Sequence, residues 1–272
     1  MRRLALTLAA AILALAGTTT ASGRTRTAQV VVRHGQPVQI AVVLDRSTPI
    51  GAAFTPGIRN AIALAVALHP AIHGFRVQLN NFDGQCGDGV VAQNTATANA
   101  VVANVQNVAV IGHMCSQPFA ATPCPPSTTS ALATYGAAGI VTINGSTTDP
   151  CLPTVGPTVF NGTAVPGDAF DAWYATVKTL PADQLWRLGY QLAFGSAPPD
   201  FADLYFDATN LLLTRVAQVS TVAGGKLVID RAALAAAVRH TAGFAGVTCS
   251  VSFDGGGYRI DDDAALARCG GT

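Results

Sequence analysis

Two near-continuous apolar stretches, Val38–Leu44 and Val108–Gly112, constrain this chain most. Runs of this kind suit strands covered on both faces, as in a parallel sheet. Between them lies a stretch of helical period, with Ile58, Ile62, Ala65 and Val66 on one face. Thr55-Pro56 reads as its N-cap and first position, and His69-Pro70 as its stop. Phe75–Asn80 alternates apolar and polar residues, which fits an edge strand with one wetter face. Ala- and Val-rich residues 89–104 read as a second helix, Ser127–Tyr135 as a third, and Ile140–Ile143 as a further strand. Strands alternating with helices predict βαβ units. The expected class is α/β, an open parallel sheet with helices on both faces.

The pattern changes after Pro150. Residues 168–178, 182–192, 201–219 and 231–240 read as helices with little strand between them. Thr248–Phe253 reads as a strand, turning at Asp254-Gly255-Gly256-Gly257 toward Tyr258-Arg259-Ile260.

The ends bound the setting. Arg2-Arg3, an uncharged run from Leu4 to Ala16 and small residues up to Gly23 read as a signal peptide over residues 1–23. The run is shorter than the ~20 residues a membrane span needs. Residues 24–36 read as a linker. Six cysteines, Cys86, Cys115, Cys124, Cys151, Cys249 and Cys269, all follow the leader, and an even count in an exported chain suggests disulfides. Their pairing stays open at this level, with chain order favouring local bridges. Charged residues make up only 11% of the chain and the formal net charge is +1, so nucleic acid is not an expected partner.

In an open parallel sheet, ligands bind beyond the carboxyl ends of the strands. Three loops fall there: Asp45–Thr55, Gly112–Phe119 and Asn144–Pro150. Ser116 follows a buried strand, and Asn144-Gly145-Ser146-Thr147-Thr148 offers a second set of donors. Such an array suits a carboxylate, although ordinary turns use the same residues. Motifs for catalysis are missing: no G-x-S-x-G, no H-E-x-x-H, no GxGxxG and no Walker loop, and so no cofactor is expected. His113 and Cys115 have the composition of a nucleophile pair, but a cysteine in an exported chain is better read as bridged. His69, His73 and His240 read as surface or helix-end residues, and Asp261-Asp262-Asp263 as a solvated turn rather than a calcium or other metal site.

These loops resemble those of the branched-chain amino-acid-binding proteins of ABC transporters, the Leu/Ile/Val-binding family with the type I periplasmic binding fold. Five stretches carry the resemblance: Val38–Leu44 with Thr48–Phe54 and Arg59-Asn60; Asn81-Phe82-Asp83 with Cys86; Val110–Ser116; Ala138–Pro150; and Tyr205–Leu213 with Phe244–Thr248 and Val251–Asp254. The resemblance implies strand order 2-1-3-4-5 and an amino acid held between two lobes that close by hinge motion. It places the ligand carboxylate on Ser116, Ser146 and Thr148, puts Phe54 over the ligand, and joins Cys86 to Cys115. Cys124–Cys151 and Cys249–Cys269 then follow from chain order alone.

The sequence departs from the family at one place. Cys151 to Asp200, about 50 residues, stands where the family has a full second α/β lobe. The expected organisation is therefore a first segment of lobe 1 over residues 37–150, a reduced second lobe or crossover over 151–200, and a return segment over 201–272 that packs on lobe 1. The acidic residue that receives the ligand's ammonium has no clear counterpart, and Asp168, Asp171 and Asp200 read as helix-end carboxylates. The implied role is capture of a small amino acid or related amide by an exported, monomeric protein serving the membrane components of an ABC importer. The alternatives are a single-lobe sensory or protein-interaction module and, with no motif behind it, a hydrolase.

Overall fold

The computed structural model describes residues 29–87, 89–115, 131–148, 152–163, 170–260 and 263–270. The leader therefore lies outside the described residues, as do Ser116, Cys124, Cys151, Asp168, Asp261 and Asp262.

Chain order begins with strand β1 (Gln29–Val32), β2 (Val38–Leu44), helix α1 (Pro49–Leu68), β3 (Ala71–Ile72) and β4 (Phe75–Asp83). Next come α2 (Val91–Ala103), β5 (Asn107–Gly112), α3 (Ala131–Ala137), β6 (Val141–Asn144), a short 3-10 turn (Leu152–Val155) and β7 (Val159–Asn161). The remainder is α4 (Phe170–Val177), α5 (Pro181–Phe194), α6 (Ala202–Val219), β8 (Thr221–Ala223), β9 (Lys226–Asp230), α7 (Arg231–Arg239), β10 (Phe244–Gly246), β11 (Cys249–Val251) and α8 (Asp263–Arg268).

The main sheet runs β3-β4-β2-β5-β6-β7, parallel throughout except for the two-residue β3. With β3 set aside, this is the 2-1-3-4-5 order implied by the resemblance. Alternation along β2 shows why both faces are covered. Ile40, Val42 and Leu44 join Ile58 and Ile62 of α1 and Leu211 and Leu212 of α6 in one core. Ala41 and Val43 join Ala98 and Val101 of α2 and Leu132 and Tyr135 of α3 in the other. The first core thus draws on residues from both sides of the 151–200 segment.

The structure corrects four local readings. First, α1 starts at Pro49, not after Thr55. Thr48 is its N-cap, and the Asp45 carboxylate holds the turn by accepting from the Ser47 N–H at 3.1 Å and the Thr48 N–H at 3.0 Å. Thr55 is buried inside the helix, where its hydroxyl donates to the Asp45 carbonyl, and Pro56 is accommodated on the exposed side. Second, the linker is in part a strand. Val30 and Val32 are buried where β1 pairs antiparallel with β9, and β8 completes that small sheet. Third, the 151–200 segment contains β7 as well as helices. At three residues on the sheet edge, β7 is too short to show a period. Fourth, Cys249–Val251 pairs with β10, and the expected hairpin forms beyond it, where Phe253 bridges Arg259, the Asp254 N–H donates to the Tyr258 carbonyl at 2.8 Å and the Ile260 N–H to the Ser252 carbonyl at 2.8 Å.

The 151–200 segment is anchored by aromatic packing and charge. Phe170, Trp173 and Tyr174 of α4 cluster with Leu204 of α6, and Trp186 and Tyr190 of α5 pack with Ala61 and Ala65 of α1. Beneath them, Arg187 pairs with Asp183 at 2.5 Å and with Asp203, and Tyr174 donates to Asp203 at 2.8 Å. Both carboxylates are inaccessible to solvent. Burial first, and then the Asp203 carboxylate, hold the Asp183 carboxyl well above its ordinary value of 3.8.

Candidate functional site

Because β2, β5 and β6 are parallel neighbours, their carboxyl ends bring three loops to one edge of the sheet. Asp45, fully buried at the end of β2, is the hub of the first loop. Besides capping α1, its carboxylate accepts from the Cys86 N–H at 3.2 Å. A disulfide from Cys86 to Cys115, with Cα atoms 5.5 Å apart, fastens the loop after β4 to the loop after β5. The bridge implied by the resemblance is thus formed, as is Cys249–Cys269. Cys124–Cys151 falls outside the described residues.

Tyr205 of α6, fully buried, rises beneath the second and third loops. Its hydroxyl donates to the His113 carbonyl at 2.9 Å. Ser146 donates to the Met114 carbonyl at 2.7 Å, and its hydroxyl oxygen lies 3.1 Å from that of Tyr205. Two hydroxyl protons satisfy the two carbonyls, so neither is left over for a ligand in this arrangement. Gly145 is required beneath Ser146, because a Cβ there would meet the Tyr205 ring at 2.8 Å. Burial pushes the Tyr205 phenol up, keeping it a neutral donor.

The residues assigned by resemblance are distributed as follows. Ser146 and Thr148 lie half-buried in the loop after β6. Phe54 sits half-buried on α1 with its ring 6.0 Å from Phe201, which itself lies 5.6 Å from Phe170 and 5.5 Å from Tyr174. Phe54 therefore joins the strand-edge loops to the aromatic cluster of α4. Ser116 follows directly on the described loop end at Cys115. Of the acidic candidates, Asp200 is exposed and pairs with Lys178 at 3.2 Å, and Asp171 is exposed on α4.

The His113–Cys115 pair is not arranged as a nucleophile and base. The sulfur of Cys115 is bonded to Cys86, so no thiolate forms while the bridge is intact. His113 is fully buried with its Nε2 atom 3.1 Å from the Tyr135 hydroxyl, and burial holds its imidazole down to about 3. Among the described residues, no group of three or more His, Cys, Asp and Glu side chains is placed to hold a metal ion.

Two residues of this region escape a reading from sequence. Asp45 carries a local signal, an acidic residue between a strand and a Ser-Thr-Pro helix start. Tyr205 carries none by itself, since its partner is 92 positions away.

A parallel sheet in this order, with helices on both faces and disulfide-fastened loops at its carboxyl edge, is the type I periplasmic binding fold of solute-binding proteins. Solved structures share it. The leucine-binding protein of Thermotoga maritima superposes with a TM-score of 0.63 at 14% identity, over 82% of this chain and 93% of that one. An ABC transporter substrate-binding protein of Desulfitobacterium hafniense in complex with Leu gives 0.61 at 16%, over 84% and 96%. A solute-binding protein of R. palustris in complex with benzoate gives 0.62 at 12%, over 83% and 91%. No protein-family profile matches the sequence, and no curated protein matches it.

Proposed function

We propose that this chain is an exported solute-binding protein that captures a small carboxylate ligand, of the branched-chain amino-acid class, for an ABC importer. The observation that carries the reading is the convergence of the loops after β2, β5 and β6 at one sheet edge, held by Cys86–Cys115. In this reading Ser116, Ser146 and Thr148 bind the carboxylate and Phe54 covers the ligand. Ser146 reaches it only by releasing the Met114 carbonyl, so ligand entry rearranges this loop. The leader and the oxidised cysteines favour a site of action outside the cytoplasm.

The second reading is a single-lobe sensory or protein-interaction module. It draws on the helical segment that stands where a second ligand-binding lobe would be. Among the described residues, the buried Asp183 of that segment is held by Arg187, and Asp171 and Asp200 are exposed. A melting series separates the two. With leucine, isoleucine, valine or benzoate at about 100 times its dissociation constant, binding stabilises the fold by about 2.7 kcal/mol. A raised melting temperature with one of them supports capture. Unchanged melting with all four, at millimolar ligand, favours the module.

A further inference from the structure

Strand β4 runs along the margin of the main sheet. Its outer neighbour β3 pairs only with Phe75 and Arg76, so no strand of the sheet flanks Leu79 or Asn81 on that side. Ile58 and Ile62 of α1 join Ile40 and Val42 of β2 in the core, so the helix covers β2 and leaves Leu79 half-buried and Asn81 exposed. Between α1 and β4 there remains a cleft of about 340 Å³. The loops after β5 and β6 lie further in along the sheet, and none of their residues lines it.

The cleft has the chemistry of a small-ligand site. Val42 and Ile62, 2% and 0% exposed, form its floor together with Leu79. Arg59, Asn60 and Asn81 stand at its rim. An apolar cavity of this size with a few convergent polar groups suits a small organic molecule. Its polar groups are a guanidinium and two amides, and no carboxylate is among the lining residues. Ion pairs among the described residues form at Lys178 and Arg187, and Arg59 takes part in none of them. A cation beside an apolar floor, with no anion to neutralise it, suits one negative charge joined to one apolar group.

We propose that this cleft is a second ligand site, for a small monocarboxylate with a short branched apolar tail and no ammonium group. Arg59 holds the carboxylate, with the Asn81 amide as a further donor, and the tail lies on Val42, Ile62 and Leu79. A guanidinium suits this task because its planar fork offers two parallel N–H groups to the two oxygens of a carboxylate. An amino acid fits less well, since no carboxylate lines the cleft to receive its ammonium. Phosphate or sulfate would engage the cation and leave the apolar floor in water. The ligand class thus differs from the zwitterion proposed for the strand-edge loops, and the inference does not rest on that reading.

The geometry sets a modest affinity. Arg59 is exposed, so water and salt weaken its ion pair. Contact of the tail with the floor supplies the rest. A branched acid such as 3-methylbutanoate is expected to bind with a dissociation constant on the order of 1 mM, falling as salt is lowered.

The test is an NMR titration of oxidised, isotope-labelled protein from an exporting host with 3-methylbutanoate, up to about 20 mM. The expected result is saturable shifts of the Ala63, Leu79 and Asn81 amides. Arg59→Gln is expected to weaken this binding at least about fivefold, and Ser116→Ala to leave it unchanged. 3-Methylbutanamide, which has the same shape without the charge, is expected to bind at least about fivefold more weakly than the acid. Should Arg59→Gln fail to fold, Ala63→Phe, which fills the cleft from an exposed position on α1, is expected to abolish the shifts. No shift of these amides at about 20 mM overturns the proposal, as does binding that Arg59→Gln or Ala63→Phe leaves intact. Equal binding of leucine overturns the ligand class. Shifts confined to Met114 and Ser146 and lost in Ser116→Ala would assign the acid to the strand-edge loops and overturn the second site.

Discussion

The strand-edge loops and the helical region from Phe170 to Asp203 both surround buried carboxylates, and they satisfy them in opposite ways. Asp45 is held by the Ser47, Thr48 and Cys86 N–H groups and by the Thr48 hydroxyl. Three of those four donors belong to the backbone and are fixed by the chain's path. In the helical segment, Asp183 and Asp203 share the guanidinium of Arg187, with the Tyr174 hydroxyl as further support. The first arrangement tolerates the loss of a side chain. The second depends on one cation. The loops that would receive a ligand are thus built on backbone, and the segment beside them on a charge cluster sensitive to substitution and pH.

The largest expected effect comes from removing that cation. Arg187→Met leaves two buried carboxylates without their partner and should cost about 3–5 kcal/mol of stability, read from urea unfolding. A loss below about 1 kcal/mol would erase the contrast, since it would make the pair as dispensable as a surface ion pair. Tyr205→Phe tests the other region. It removes the donor to the buried His113 carbonyl and should cost about 1–3 kcal/mol. Any bound ligand should also be affected, because Ser146 loses the neighbour that positions it.

The smallest effect is a slope with pH. The Asp183 pKa is raised by folding, so its contribution is complete below its unfolded value near 3.8 and is lost as pH rises. Asp207, pushed up to about 6 by burial, has the same sign and finishes titrating near that pH. His113, held down to about 3, acts oppositely: its contribution is present above about 6.5 and is lost as pH falls. Above pH 6.5, Asp183 alone of these three still sets a slope, and melting temperature should decline. Asp183→Asn should flatten the decline. A decline that persists in Asp183→Asn would move its origin to another group.

How much of this was legible depends on where each signal lies. Strands β2 and β5 declare themselves because burial on both faces requires continuous apolar residues. The small sheet was hidden for two reasons. β1 lies among polar residues that resemble a linker, and its partner β9 is about 200 positions away (Gln29 pairs with Asp230). Gly224-Gly225, between β8 and β9, was the available hairpin signal. The start of α1 was misplaced because Thr55-Pro56 and Thr48-Pro49 offer the same local chemistry, and the buried Asp45 decides between them. Asp183 and Arg187 stand four residues apart, a spacing any reader can find. That Asp203 completes the cluster depends on how α5 packs against α6, which no local pattern encodes. Within the site, the Cys86–Cys115 bridge followed from the resemblance, whereas the commitment of Ser146 to Met114 needed the folded loops.

Calorimetric titration of leucine, isoleucine and valine into the folded, oxidised protein tests the central reading most directly, with Ser116→Ala alongside. The account predicts saturable one-site heat with at least one of the three, weakened by about 1–3 kcal/mol in Ser116→Ala. The absence of heat with all three would contradict it, and binding unchanged in Ser116→Ala would remove that hydroxyl from the site.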